Sequence, residues 1–172
     1  MDQAEFRARA EKLISFGQVT EKNIEQLRKL NLAVFPVRYS NKFYTDIVAS
    51  AQKKEEFTCL GFFSDIMVGA ICSRVEPVED STSSFKIYIM TIGVLAPYRR
   101  IGIGRKLLEQ VLKECDKHPE CTAVYLHVQV GNDAAIEFYK TFGFEVGEVV
   151  KDYYQKLDVT DAVLLTKRPP FS

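Results

Sequence analysis

The chain has 172 residues, 47% of them hydrophobic, which is one domain's length with enough apolar material for a substantial core. Lysine plus arginine equals aspartate plus glutamate at 23 each, so there is no basic field to hold nucleic acid, and any basic patch has to be local. No apolar run approaches the roughly 20 residues that span a bilayer, and the opening MDQAEFRARAEK lacks a secretory apolar region, so a cytoplasmic protein, also present in the nucleus, is expected, with no membrane partner.

Residues 1–13 are charged and alanine-containing and read as a helix-prone extension ahead of a domain over 14–167. A short strand near Ile14–Val19 leads to Thr20, a suitable N-cap for a helix reaching about Asn31. Phe35-Pro36 breaks that helix, and Ser40 or Asn41 opens another through about Ala51. Two strands, near 57–63 and 67–76, are joined by a short turn at Ser64-Asp65. Pro77 to Ser84 is an acidic, serine-rich loop. A central strand follows near 85–95, then an amphipathic helix over about 102–117, a strand at 123–130 and a helix at 132–141. Strands near 144–152 and 162–167 complete the domain, and 168–172 is expected to be a flexible tail. Hairpins followed by a strand–helix–strand–helix run predict an α/β fold with a mixed, mostly antiparallel sheet and about four helices.

The segment 87–95 (IYIMTIGVL) has the β-branched and aromatic content of a strand buried on both faces. After it, Ile103, Leu107, Leu108, Val111, Leu112 and Cys115 recur at helical spacing. Between them lies Arg99-Arg100-Ile101-Gly102-Ile103-Gly104. A glycine-bearing turn from strand to helix aims unpaired N–H groups and the positive helix end at one point, an anion site suited to phosphate or pyrophosphate. The spacing excludes a Walker A loop, because no glycine precedes Gly104 by five residues. It also excludes a dinucleotide fingerprint, because Leu107 stands where a small third residue is required. What remains is [QR]-x-x-G-x-[GA], met by Arg99, Gly102 and Gly104, alongside the plainer reading of a tight turn with no ligand.

Strand 124–130 alternates aliphatic even positions with Tyr125, His127 and Gln129, so one face is apolar and the other carries polar tips. If residues 85–95 lie beside it, Tyr88 and His127 share a groove. Histidine, with a reference value near 6.5, suits proton acceptance near neutral pH. Tyr88 titrates too high to be an easy base and is assigned to orientation. Four cysteines, Cys59, Cys72, Cys115 and Cys121, lie in or near apolar segments and read as reduced core residues. Cys115, His118 and Cys121 form C-x-x-H-x-x-C, but zinc wants a fourth ligand that the neighbouring sequence does not supply, so no metal is expected.

Arg99–Gly104, followed by Asn132-Asp133-Ala134-Ala135-Ile136-Glu137-Phe138-Tyr139 and Gly143-Phe144, resembles the two signatures of the GCN5-related N-acetyltransferases (GNAT). The strings Phe35-Pro36-Val37-Arg38-Tyr39, Tyr88-Ile89-Met90-Thr91, Leu95–Arg100, Tyr125–Gln129 and Tyr153-Tyr154 narrow the resemblance to the NatE-type catalytic subunit of the N-terminal acetyltransferases, over about residues 16–167. That resemblance implies a GNAT fold and acetyl-coenzyme A as acetyl donor. It implies cofactor contacts at Ile92, Val94, Arg99, Arg100, Gly102, Ile103, Gly104, Arg105, Asn132, Ala135 and Tyr139, and catalysis by Tyr88 and His127 through ordered water. Ile92 would offer a backbone N–H to the oxyanion, and Tyr139 would meet the leaving thiolate. Phe35, Pro36, Val37, Tyr39, Met90, Tyr153 and Tyr154 would form an apolar pocket for the acceptor, protein N-termini that begin with methionine followed by a hydrophobic residue. The resemblance further implies docking on the ribosome-associated NatA complex and a link to sister-chromatid cohesion. A lysine or small-molecule acetyltransferase, and an acetyl-coenzyme A-binding scaffold without turnover, stay open as alternatives.

Overall fold

The computed structural model describes residues 1–172. It contains α1 (Gln3–Glu11), β1 (Ile14–Gly17), α2 (Ile24–Val34), α3 (Asn41–Gln52), β2 (Cys59–Phe63), β3 (Ile66–Pro77) and β4 (Phe85–Val94). A 3-10 turn at Ala96–Tyr98 leads into α4 (Ile103–Asp116), β5 (Cys121–Gln129), α5 (Asp133–Lys140), β6 (Glu145–Val150) and β7 (Ala162–Lys167). The strands hydrogen-bond in the order β1-β2-β3-β4-β5-β7-β6. β4 and β5 run parallel, whereas β1–β2, β2–β3, β5–β7 and β6–β7 are antiparallel, the mixed sheet that the element order predicts. No helix is long and apolar enough to cross a membrane.

The chain packs as two compact units, Met1–Arg74 with Met90–Glu114, and Val75–Ile89 with Cys115–Ser172. In the first, Leu27 and Leu30 of α2, Tyr44 and Ile47 of α3, and Leu60, Ala70 and Cys72 of the sheet form a buried cluster. The apolar stripe of α4 is fully covered, with Ile103, Leu107, Leu108 and Val111 at most 1% exposed. Close approach is possible because the sheet offers glycines there. A Cβ on Gly61 would stand 3.2 Å from Ile103 Cγ2, and one on Gly69 3.3 Å from the same atom.

In the second unit β5 alternates as the sequence predicts. Val124, Leu126 and Val128 are buried, while Tyr125, His127 and Gln129 are half-buried. Helix α5 is capped by Asn132, whose side chain accepts from the Ala135 N–H at 3.3 Å. It stops at Gly143, where φ is +85° and the N–H reaches the Lys140 carbonyl at 2.9 Å.

Two local expectations need correction. Helix α2 starts at Ile24, not Thr20, because the Asn23 side chain accepts from the Thr20 N–H at 2.8 Å and donates to the Gln18 carbonyl at 2.9 Å, folding 20–23 into a turn. The C-terminal residues are also not a free tail. Phe171 is 2% exposed, and the Phe171 and Ser172 N–H groups donate to the Asp116 carboxylate at 2.8 and 2.9 Å. Those bonds, with one from the Ser172 hydroxyl, hold the Asp116 carboxyl below its ordinary value.

Candidate active site

The glycine turn lies in the first unit. Arg100 and Gly102 both adopt left-handed φ, +68° and +91°, which reverses the chain between the 3-10 turn and α4. The Lys106 N–H closes the first helical bond onto the Gly102 carbonyl at 3.0 Å, so the amides of Ile103 and Gly104 lie in the turn that has no intrahelical acceptors. A Cβ at Gly102 would meet nothing within 4 Å, and one at Gly104 only Val94 Cγ2 at 3.9 Å. The space beside the backbone is therefore open at Gly102 and nearly so at Gly104. Arg99 anchors the turn, its Nε donating to the Val94 carbonyl at 2.8 Å. Ile103 is 1% exposed, which leaves its main chain, not its side chain, for a ligand. Val94 and Ile92 are half-buried on β4, and Arg105 is exposed on α4.

The expected apolar lip is formed at the end of α2. Phe35 is the C-cap, and its ring meets Tyr39 edge-on at 6.0 Å. Tyr39 in turn stacks on Phe43 at 4.6 Å. Burial raises the Tyr39 phenol above its ordinary value, so it stays protonated and acts as a hydrogen-bonding wall. The Phe35 ring presses on β4, where a Cβ at Gly93 would be 2.8 Å from its Cζ and 2.7 Å from Val34 Cγ1. Only glycine fits there. Pro36 and Val37 continue the lip, and Met90 packs against the core cluster.

The second unit carries the titratable groups. The parallel register pairs Tyr88 with Tyr125, which places both on one face together with His127, two residues further along β5. Tyr88 Oη lies 3.0 Å from His127 Nδ1 and 2.6 Å from Tyr153 Oη, so a single phenol joins two partners. The Tyr153 ring stacks on the His127 ring at 4.1 Å and 20°. The loop between β6 and β7 delivers it there, fastened to β5 by bonds from Tyr154 Oη to the His127 carbonyl (3.3 Å) and from Gln129 Nε2 to the Val159 carbonyl (2.8 Å). Burial among these rings lowers the His127 pKa from 6.5. The imidazole is thus neutral at neutral pH and able to accept a proton.

Sequence reasoning gave no role to three members of this cluster, Tyr125, Glu76 and Lys86. Tyr125 packs on Tyr88 at 4.9 Å and donates to the Glu76 carboxylate, and Lys86 Nζ lies 5.5 Å from the centre of its ring. The alternation along β5 already put Tyr125 on the polar face, whereas nothing local marks Glu76. Asn132 and Ala135 sit at the start of α5. Tyr139, one helical face further on, is 4% exposed against Phe138 and Phe144, and burial pushes its phenol upward. Cys115 and Cys121 are buried and hydrogen-bonded to each other, while the His118 ring faces Phe85, so the three do not converge.

The acetyltransferase (GNAT) family model matches residues 24–144. N-alpha-acetyltransferase 50 of Danio rerio is 47% identical over 154 residues, covering 90% of this chain and 88% of that protein. The probable N-acetyltransferase san of Drosophila melanogaster is 43% identical, over 90% of this chain and 80% of its own length. The solved structure of Arabidopsis thaliana Naa50 in complex with the bisubstrate analogue CoA-Ac-MVNAL superposes with a TM-score of 0.82 at 46% identity, covering 90% of this chain and 98% of that one. A family model over residues 24–144 and relatives at 43–47% identity over most of both chains show that the chain belongs to the GNAT acetyltransferase family, among the N-alpha-acetyltransferases of the Naa50 type.

Proposed function

We propose that the protein transfers the acetyl group of acetyl-coenzyme A directly to the α-amino group of protein N-termini, favouring methionine followed by a hydrophobic residue. The observation that carries this reading is the Tyr88 hub, one phenol bonded to both His127 and Tyr153 beside an imidazole kept neutral by burial. An ammonium has no lone pair with which to attack a thioester. An α-amino group titrates near ~8, so roughly a tenth of it is neutral at pH 7. Moving a proton from that ammonium to an imidazole below ~6.5 is uphill by about 2 kcal/mol, a small fraction of a typical catalysed barrier reduction. His127 takes the proton through one ordered water, and Tyr88, its direction fixed by Tyr153, orients water and amine.

The turn at Arg99–Gly104 fits a diphosphate, because Gly102 is open and left-handed and the first amides of α4 lack helical acceptors. Acetyl-coenzyme A, held there, supplies the activated acetyl group. The Ile92 N–H is assigned to the acetyl oxygen. Tyr139, its phenol raised by burial, donates a hydrogen bond to the departing sulfur rather than giving up its proton. Phe35, Pro36, Val37, Tyr39 and Met90, with Tyr153 and Tyr154, select the acceptor's first side chains, and a flexible, polarisable thioether suits such surroundings. The protein acts in the cytoplasm and nucleus, docked on NatA near the ribosome. The test is turnover of peptides beginning Met-Leu, Ser-Ala and Asp by the purified chain. Met-Leu is expected to lead, and a preference for acidic or small N-termini overturns the pocket assignment.

A further inference from the structure

Acetyl transfer makes no use of the cysteines, and two of them meet where α4 ends and β5 begins. Cys115 lies in the last turn of α4, and Cys121 is the first residue of β5. Residues 116–120 fold back between them, the His118 N–H donating to the Cys115 carbonyl at 3.0 Å and the Cys121 N–H to the His118 carbonyl at 3.0 Å. That return brings the Cys115 thiol into a hydrogen bond with the Cys121 sulfur. Both are buried, at 0% and 2% exposure, yet Asp116, Glu120 and Thr122 beside them are exposed. The pair therefore sits at the margin of the core rather than at its centre.

The remaining cysteines are unlike this pair. Burial pushes the Cys72 thiol up to about 12 and the Cys59 thiol up to about 11, so both stay protonated. Cys121 shifts the other way. The hydrogen bond from Cys115 lowers its pKa, and outweighs burial and the nearby Asp116 carboxylate, which raise it. Thiol oxidation proceeds through the thiolate, and a second thiol in contact diverts the first product into a disulfide before it oxidises further. We propose that Cys115 and Cys121 form a redox-active dithiol, in which Cys121 attacks a peroxide and Cys115 resolves the product as a reversible disulfide. The Cys121 thiolate attacks one peroxide oxygen, the O–O bond breaks, and the hydroxide released takes up a proton, leaving a sulfenic acid and one water. The Cys115 sulfur then attacks the Cys121 sulfur, the S–O bond breaks as the S–S bond forms, and the departing hydroxide leaves with the Cys115 proton as a second water. Hydrogen peroxide is the oxidant, reduced by the two electrons that the thiols give up. None of the groups assigned to acetyl transfer takes part.

The test treats the folded full chain with excess hydrogen peroxide, blocks remaining thiols with iodoacetamide, and maps tryptic peptides by mass spectrometry without reduction. Cleavage after Lys113, Lys117 and Lys140 puts the two cysteines on separate peptides, 114–117 and 118–140. The expected product joins these peptides, two hydrogens lighter than their sum. It should form about ten-fold faster than any oxidation at Cys59 or Cys72, and dithiothreitol should reverse it. Cys115→Ser should leave Cys121 as a sulfenic acid that dimedone traps, whereas Cys121→Ser should leave Cys115 unreacted over the same time. In the wild-type chain, sulfinic acid at Cys121 without the joined peptides, or Cys59 or Cys72 reacting first, overturns the proposal. So does a wild-type chain whose four thiols all remain open to iodoacetamide after peroxide. A Cys121→Ser protein in which Cys115 oxidises at the wild-type rate overturns the assignment of Cys121 as the attacking sulfur.

Discussion

Gly93→Ala probes the lip without touching any group assigned to proton transfer. The new methyl would stand 2.7 Å from Val34 Cγ1 and 2.8 Å from Phe35 Cζ, against an ordinary carbon–carbon contact of about 3.5–4.0 Å. Both neighbours have to move by roughly 1 Å, and Val34 is β-branched at the last turn of α2, so it has few rotamers to use. Overpacking of this kind costs about 1–3 kcal/mol. Replacing a strand glycine returns about 0.5–1 kcal/mol of backbone entropy. Taking the middle of each range, the net loss is about 1.2 kcal/mol, or roughly 2.5–5 °C in Tm for a chain of this length. Because the displaced ring is the lip itself, KM for a Met-Leu peptide should rise several-fold while KM for acetyl-coenzyme A holds. Adding Val34→Ala should recover part of both losses, since it removes the nearer clash. Calorimetry and initial rates read the two effects. A Gly93→Ala protein as stable as the parent, or one whose donor KM rises while its peptide KM does not, refutes the reasoning.

Four further outcomes follow from the same geometry. His127→Ala and Tyr88→Phe should each lower kcat by about 10²–10⁴-fold with little change in donor affinity, measured by steady-state rates and calorimetric titration; retention of activity in both removes the assigned base. Since burial lowers the His127 pKa, the imidazole is protonated and idle only below that depressed value, so log kcat/KM should rise with pH through a limb centred below 6.5, with a second limb near ~8 from the amine. His127→Ala should erase the lower limb, and a limb centred above 6.5 contradicts the burial argument. Gly102→Ala forces an L-residue to φ +91°, at about 1–2 kcal/mol, and should raise donor KM more than peptide KM. Tyr125→Phe and Glu76→Ala should each lower kcat modestly, with a combined loss smaller than the sum of the two, because both remove the same hydrogen bond that buttresses Tyr88.

The elements that carry this site were legible where their signals are local. Period-two alternation marked β5 and put His127 on its polar face, and the apolar stripe with Gly102 and Gly104 at its start marked α4 and the turn that leads into it. Pairing of Tyr88 with His127 followed once the two strands were taken as neighbours, a step the element order supports. What escaped the sequence depends on distant partners. Gly93 reads as an ordinary strand glycine until the Phe35 ring from α2 is placed on it. Glu76 finds Tyr125 across 49 positions of sequence, and Tyr153, expected as a pocket wall, is also the second hydrogen-bond partner of Tyr88. Phe171, in a short polar and proline-bearing ending, gives no sign of the Asp116 carboxylate that holds it. Asn23 displaced the start of α2 through a side-chain bond that competes with helix formation, which propensity alone does not resolve.

The central claim is that this scaffold acetylates α-amines. Mass spectrometry of a Met-Leu peptide with one internal lysine, incubated with the protein and acetyl-coenzyme A with its α-amine either free or formyl-blocked, tests it most directly. Acetyl on the α-nitrogen of the free peptide, and none on the blocked one, is the expected result. Equal acetyl incorporation at the lysine of both peptides would contradict the account.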